Sequence, residues 1–146
     1  NRTQYEKDLE RIKPPAVIIN MDVDDFKQIN DTRGHAAGDY YLRQIAEVIR
    51  TVYGRHGDCY RYGGDEFSLI LTKNLHQMEK LNGMFEAALG QLREQDPQMP
   101  MVSLGYALYE GGIEALYATI EKADAMMYRN KKVNDRAEIV EIAAEI

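Results

Sequence analysis

Arg61-Tyr62-Gly63-Gly64-Asp65-Glu66-Phe67 places two adjacent carboxylates directly behind a glycine pair. The residues on either side, Cys59 to Tyr62 and Phe67 to Leu71, read as two short strands, so Gly63 to Glu66 becomes the tip of a β-hairpin with rigid flanks. Glycine lets such a turn adopt positive φ and lets a bulky anion approach the backbone. The acids behind it are hard oxygen ligands for a divalent cation. Upstream, Met21-Asp22-Val23-Asp24-Asp25-Phe26-Lys27 supplies a second acidic stretch. Together the two suggest nucleotide phosphate chemistry.

Outward from the hairpin the chain alternates helix and strand without repeats or low-complexity tracts. Residues 3–12 read as a short polar helix stopped by Pro14-Pro15. Apart from Asn20, Ala16 to Met21 is a continuous apolar run, the pattern of a central strand buried on both faces, which puts Asp22 at a strand's C-terminal end. Asp24 or Asp25 can cap a brief helix running to Asn30. A loop containing Gly34 then leads to a helix near residues 36–53, whose Leu42, Ile45, Ala46, Ile49 and Val52 share one face. Met78, Leu81, Phe85, Leu89 and Leu92 mark another helix, ended around Gln95-Asp96-Pro97, and Met101 to Tyr109 reads as a strand. Ile113, Leu116, Ile120, Ala123 and Met127 mark a last helix, and Ala137 to Ile142 a last strand. The expected fold is one α/β (α+β) domain over residues 1–146, with a five-stranded sheet flanked by helices.

A chain of 146 residues that is 45% hydrophobic can bury one real core. The net charge of -6 argues against a general nucleic-acid binder, which needs a basic field to neutralise phosphates, so any phosphate site must be local. The lone Cys59 excludes an internal disulfide framework and fits a reducing compartment. No apolar run approaches the ~20 residues of a membrane span, and no signal-peptide pattern opens the chain. The expected location is the cytoplasm, with no direct membrane contact by this domain. The start at Asn1-Arg2, without a Met, suggests a domain excised from a longer protein whose neighbours include a membrane or sensor segment.

If the strands carrying Asp22 and Asp65-Glu66 are sheet neighbours, these acids converge into an oxygen-rich, cysteine-free cluster that suits Mg²⁺. Such a metal would neutralise a triphosphate and polarise the attacked phosphorus. The alternative is that Asp22, Asp24 and Asp25 are turn and capping residues and that Gly63-Gly64-Asp65 is merely a hairpin loop. The residues alone leave both open.

Arg61 to Phe67 resembles the signature of the GGDEF family, the diguanylate cyclases, with every signature letter present from Gly63 to Phe67. Further blocks are similar in order and spacing: Asp22-Val-Asp-Asp-Phe-Lys-Gln-Ile-Asn30-Asp31, then Gly34-His35 and Gly38-Asp39, then Val102-Ser103-Leu104-Gly105. Ala123-Asp124-Ala125-Met126-Met127-Tyr128 with Lys131 resembles the family's last helix, and Asn1-Arg2 the tail of its opening segment, so the resemblance covers nearly the whole chain. It implies a palm-like, nucleotidyl-cyclase-like fold around a mostly antiparallel sheet. It also implies an activity: two GTP molecules are joined into cyclic di-GMP with loss of two pyrophosphates, each 3′-hydroxyl attacking the α-phosphate held by a facing copy.

By the same resemblance, Asp22, the Val23 carbonyl and Asp65 bind two Mg²⁺ ions, with Mn²⁺ as a substitute, and Glu66 adds charge at the metals or helps activate the hydroxyl. Lys27, in the first turn of its helix, and Lys131 meet the β- and γ-phosphates, and the Phe26 backbone borders them. Asn30 and Asp39 read the base. Guanine offers two neighbouring donors that one carboxylate accepts, whereas adenine presents an acceptor there, hence GTP rather than ATP. Read without the family, each lysine is a solvated surface charge, Asn30 closes a helix, Asp39 caps the next, and His35 braces a loop. The implied partners are GTP, a second copy of the domain and an N-terminal sensor or regulatory domain, with no nucleic acid.

Two departures stand out. Arg55-His56-Gly57-Asp58 has the letters of the family's inhibitory product site but lies one residue too close to the signature, and on a strand such a slip turns a side chain to the other face. After Lys131 the family's Gly-Arg-Asn is replaced by Asn134-Asp135-Arg136, which sets an acid where a phosphate-binding arginine is expected unless Arg136 substitutes. A catalytically impaired module that binds GTP or cyclic di-GMP is therefore the alternative to an active cyclase. A purely structural dimerisation domain is the third.

Overall fold

The computed structural model describes residues 1–145, excluding the side chains of Glu114 and of residues 136–145. Its elements in chain order are α1 (Arg2–Glu10), β1 (Ala16–Val23), α2 (Phe26–Arg33), α3 (His35–Tyr53), β2 (Gly57–Arg61), β3 (Glu66–Leu71), a 3₁₀ turn (Leu75–Gln77), α4 (Met78–Gln95), β4 (Val102–Tyr109) and α5 (Ile113–Glu145). The sheet has four strands in the order β2-β3-β1-β4, with each neighbouring pair antiparallel. The apolar run of β1 is explained by its place second from one edge, with helices on both faces. Val17, Ile19, Met21 and Val23 pack toward α3 and α4, while Ala16 and Ile18 join the smaller cluster under α1 and α5.

On α3 the expected face is buried at Leu42, Ile45, Ile49 and Val52, and Ala46 packs against the same cluster. Gly105 on β4 lets α5 lie directly on the sheet. A Cβ there would overlap the Ala123 carbonyl and the Met127 amide.

The fifth strand, expected at Ala137 to Ile142, is instead part of α5. No glycine or proline interrupts residues 113–145, and the segment's alanines and glutamates favour helix, so nothing ends it. Its Val and Ile residues suggested a strand, but helical propensity and continuity with the packed turns before it prevail. Among the described residues no helix is long and apolar enough to cross a membrane.

Candidate active site

Strand alternation turns Asn20 and Asp22 to the α5 face, because Met21 and Val23 point into the main core. The register then sets Asp22 opposite Glu66 of β3 on one side and opposite Ser103 of β4 on the other. The wider hairpin is tied to the end of β1 by the Val23 amide, which donates to the Asp65 carbonyl at 2.9 Å. The turn is closed by the Tyr62 amide donating to the Glu66 carbonyl at 2.8 Å, and Arg61 Nη2 donates to the Gly64 carbonyl at 2.8 Å. Glu66 is thus the first residue of β3 rather than part of the tip. Neither Gly63 nor Gly64 adopts positive φ, contrary to expectation. What Gly63 provides is space, since a Cβ there would lie 2.8 Å from Glu66 Oε2.

Lys131, reaching down from α5, donates from Nζ to Asp22 Oδ2 at 3.0 Å. This bond holds the Lys131 ammonium above its ordinary range. The acids around Asp22 are raised as well, which for a carboxyl disfavours the charged form. Burial first, and then repulsion by Asp22, push the Asp65 carboxyl up, opposed by a backbone amide and by Lys131. Glu66 is pushed up by burial and then by Asp22, Asp65 and Asp124. Among the described residues no three metal-binding side chains form a ready cage. The donors nonetheless fit a hard divalent cation. They are oxygen-only, and they carry a mutual repulsion that a cation would relieve.

The residues expected to read the nucleotide lie on α2 and α3, beyond the end of β1. Between β1 and α2 the backbone passes through Asp25 at φ 55°, a left-handed conformation uncommon outside glycine, and its side chain makes no cap bond. Neither aspartate therefore caps α2 in the expected way. Asn30 Oδ1 is buried without a hydrogen-bond partner, and a Cβ on Gly38 would overlap it and lie 3.1 Å from Phe26 Cζ. The amide is held close against α3 with acceptor capacity to spare. Asp39 lines a groove of about 440 Å³ between α3 and the hairpin, together with Leu42, Arg43, Arg61 and Phe67. Lys27 is exposed. No described ion pair joins Lys27 or Asp39 to the acids, so of the expected site residues Asp22, Asp65, Glu66 and Lys131 form one electrostatic group.

Sequence reasoning missed a second tier beneath that group. Asp24 is buried and accepts from Ser103 Oγ at 2.7 and 3.0 Å and from Asn134 Nδ2 at 3.0 Å, while Asn134 also donates to Ser103 Oγ at 3.1 Å. Burial raises the Asp24 carboxyl and those donors hold it back. Further along the sheet, Asn20 Nδ2 donates to Asp124 Oδ1 at 2.7 Å and Ser68 Oγ to Asn20 Oδ1 at 3.1 Å. Polar residues on strands that are otherwise continuously apolar were the available signal. Asn134, one of the departures, anchors α5, and Asp135 beside it is exposed. The Arg136 side chain lies outside the described residues. Arg55 and Asp58 are both exposed, and alternation on β2 puts Asp58 on the face of buried Tyr60.

A family model described as "Diguanylate cyclase, GGDEF domain" matches residues 2–136. Diguanylate cyclase A of Treponema denticola is 31% identical over 126 residues, covering 82% of this chain and 33% of that protein. Diguanylate cyclase DgcS of Shewanella oneidensis is 31% identical over 140 residues, covering 90% of this chain and 46% of its own length. The chain thus spans less than half of either relative. The crystallised GGDEF domain of DgcB from Caulobacter crescentus, solved in complex with c-di-GMP, superposes with a TM-score of 0.71 at 26% identity, covering 90% of this chain and 85% of that one.

Proposed function

Because the chain belongs to the GGDEF family, whose model covers residues 2–136, we propose that it is a diguanylate cyclase domain that condenses two GTP into cyclic di-GMP and two pyrophosphates. The observation that carries this reading is the pairing of Asp22 with Glu66 across neighbouring strands, with Asp65 close enough to repel Asp22 and Lys131 bonded to it. Acids from two distant segments sharing one spot with a lysine suit metal and phosphate better than turn capping, and this supports the reading.

In this reading Asp22, Asp65 and the Val23 carbonyl hold Mg²⁺, with Glu66 adding charge beside them. The bound ions supply charge neutralisation and polarise the α-phosphorus. Lys131, bonded to Asp22 in this structure, would meet the triphosphate from α5, and Lys27 would meet it from the first turn of α2. Asn30 and Asp39 orient guanine beside α3: Asp39 lines the groove there, and Asn30 Oδ1, buried against Gly38, has no hydrogen-bond partner. A 3′-hydroxyl oxygen forms a bond to the α-phosphorus of the facing GTP while the bond to pyrophosphate breaks, and the hydroxyl proton passes to a nearby base. The raised Glu66 carboxyl suits that role, because a base whose pKa lies closer to the working pH transfers a proton more readily. One domain holds one GTP, so turnover needs two copies face to face. A partner sensor domain that controls their encounter is part of the proposal.

A second reading is favoured by one observation. α5 runs on as helix past Lys131, pinned by Asn134 and presenting exposed Asp135, which adds negative charge where triphosphate must bind. An impaired module that binds GTP or cyclic di-GMP without turnover would follow. The discriminating experiment fuses this chain to a constitutive dimeriser and follows Mg²⁺-dependent product formation from GTP. Cyclic di-GMP accumulating only with dimer and metal supports the cyclase; GTP binding without product supports the second reading.

A further inference from the structure

A cavity of about 640 Å³ lies on the other side of the hairpin from the base groove, between α1, α5 and the sheet. Its size suits a small organic ligand. The interior is apolar and aromatic, with buried Tyr5, Tyr109, Leu116 and Phe67 among its walls. Tyr5 is only 4% exposed, yet its hydroxyl has no hydrogen-bond partner. Burial raises the Tyr5 hydroxyl and nearby Ser68 holds it back, but Ser68 gives its own proton to Asn20. A buried hydroxyl left unsatisfied costs free energy that a ligand group can recover.

The charged lining is of one sign. Glu6, Glu10, Glu66 and Asp124, all exposed, line the mouth, and among the described residues no lysine, arginine or histidine lines the cavity. The chain itself shows what this rim accepts: Arg2 places its guanidinium 5.0 Å from the Tyr62 ring centroid and donates to Glu6 at 3.2 Å. With only Arg2 to offset it, an acidic rim disfavours phosphates and carboxylates, and nucleotides with them.

We propose that the cavity between α1 and α5 is a binding site for an amphipathic organic cation: an ammonium at the carboxylate mouth, an aromatic body against Leu116 and Tyr109, and a hydrogen-bonding group at Tyr5. This site is separate from the guanine groove and does not depend on whether the domain turns over GTP. Glu66 borders both this cavity and the acidic cluster, so an occupant lies directly behind the signature.

The test titrates tyramine, phenethylamine and 4-hydroxyphenylacetate into this chain at neutral pH by protein-observed NMR, with methyl shifts of Leu116, Ile120 and Met127 as the map. Tyramine is expected to bind about tenfold more tightly than phenethylamine, which lacks the far hydroxyl. The carboxylate analogue should not bind detectably. Tyr5→Phe should erase the advantage of tyramine over phenethylamine, a coupling that general loosening of the fold would not produce. Ile120→Trp, which fills the space, should abolish amine binding. Equal binding of the carboxylate, an undiminished tyramine advantage in Tyr5→Phe, shifts mapping elsewhere, or no amine binding up to about 10 mM would each overturn the proposal.

Discussion

Asp65 carries a carboxyl raised by burial and by the facing Asp22, so its charge is a burden on the metal-free fold. Replacing it by Asn removes that charge at nearly constant shape. Asp65→Asn should therefore lower cyclic di-GMP formation by at least about a hundredfold while leaving the melting temperature at or above that of the parent. Product at the parental rate under matched dimer concentration would take Asp65 out of the chemistry. Gly38 has a different role: it leaves room for the Asn30 amide. Gly38→Ala forces the end of that side chain aside rather than the backbone, so the fold should survive with a loss of about 1 kcal/mol or less. GTP affinity should fall about tenfold, with weaker discrimination against ATP, measurable by competition binding. Unchanged discrimination would remove Asn30 from base reading.

Elements, rather than single residues, bring the site together. β1 sits between β3 and β4, and this order alone makes Asp22 a neighbour of both Glu66 and Ser103. α5 then delivers Lys131, provided that it lies flat on the sheet at Gly105. Gly105→Ala drives a methyl group into the α5 backbone, which cannot yield as a side-chain tip can. The expected cost is about 2 kcal/mol or more in urea unfolding, with weaker GTP binding through displaced Lys131. A variant with parental stability would mean that α5 has freedom to move. The elements themselves were largely legible beforehand. The helical spacing of α3 and the apolar run of β1 stand in the sequence because burial imposes them directly. The last strand was misread because a short segment of Val, Ile, Ala and Glu suits either structure, and packing earlier in the helix decided between them.

Across the whole molecule the carboxyls set the response to pH. Asp24, Asp65, Glu66, Glu86 and Asp124 are all raised, with burial the leading cause in each. In the interval from the ordinary carboxylate range up to these raised values, the folded chain holds more protons than the unfolded one. Stability therefore falls as pH rises through that interval. Asp8 and Asp96, lowered first by hydroxyl donors from Tyr60 and Tyr41, act oppositely: their contribution is present above the ordinary range and lost as pH falls through their lowered values. Without divalent metal, the melting temperature should be highest near the ordinary carboxylate range and decline toward neutrality, helped by the net charge of -6. Mg²⁺ should flatten the decline and stabilise more at pH 7 than in acid, since protonated ligands bind it poorly. Thermal melts with and without Mg²⁺ across that range check this, and a Mg²⁺ effect independent of pH would argue against carboxylate ligation.

The sequence by itself determined the family and most of the helices and strands, all but the expected last strand, because periodicity and motif letters are local properties of a chain. Tertiary structure alone decided that Asp22 faces Glu66, that Lys131 bonds Asp22 and that Asn134 locks onto Asp24. These contacts join residues far apart along the polypeptide, and only strand order and helix packing set their separation. The same packing left Tyr5 buried without a partner beneath an acidic mouth, which no reading of the sequence indicated.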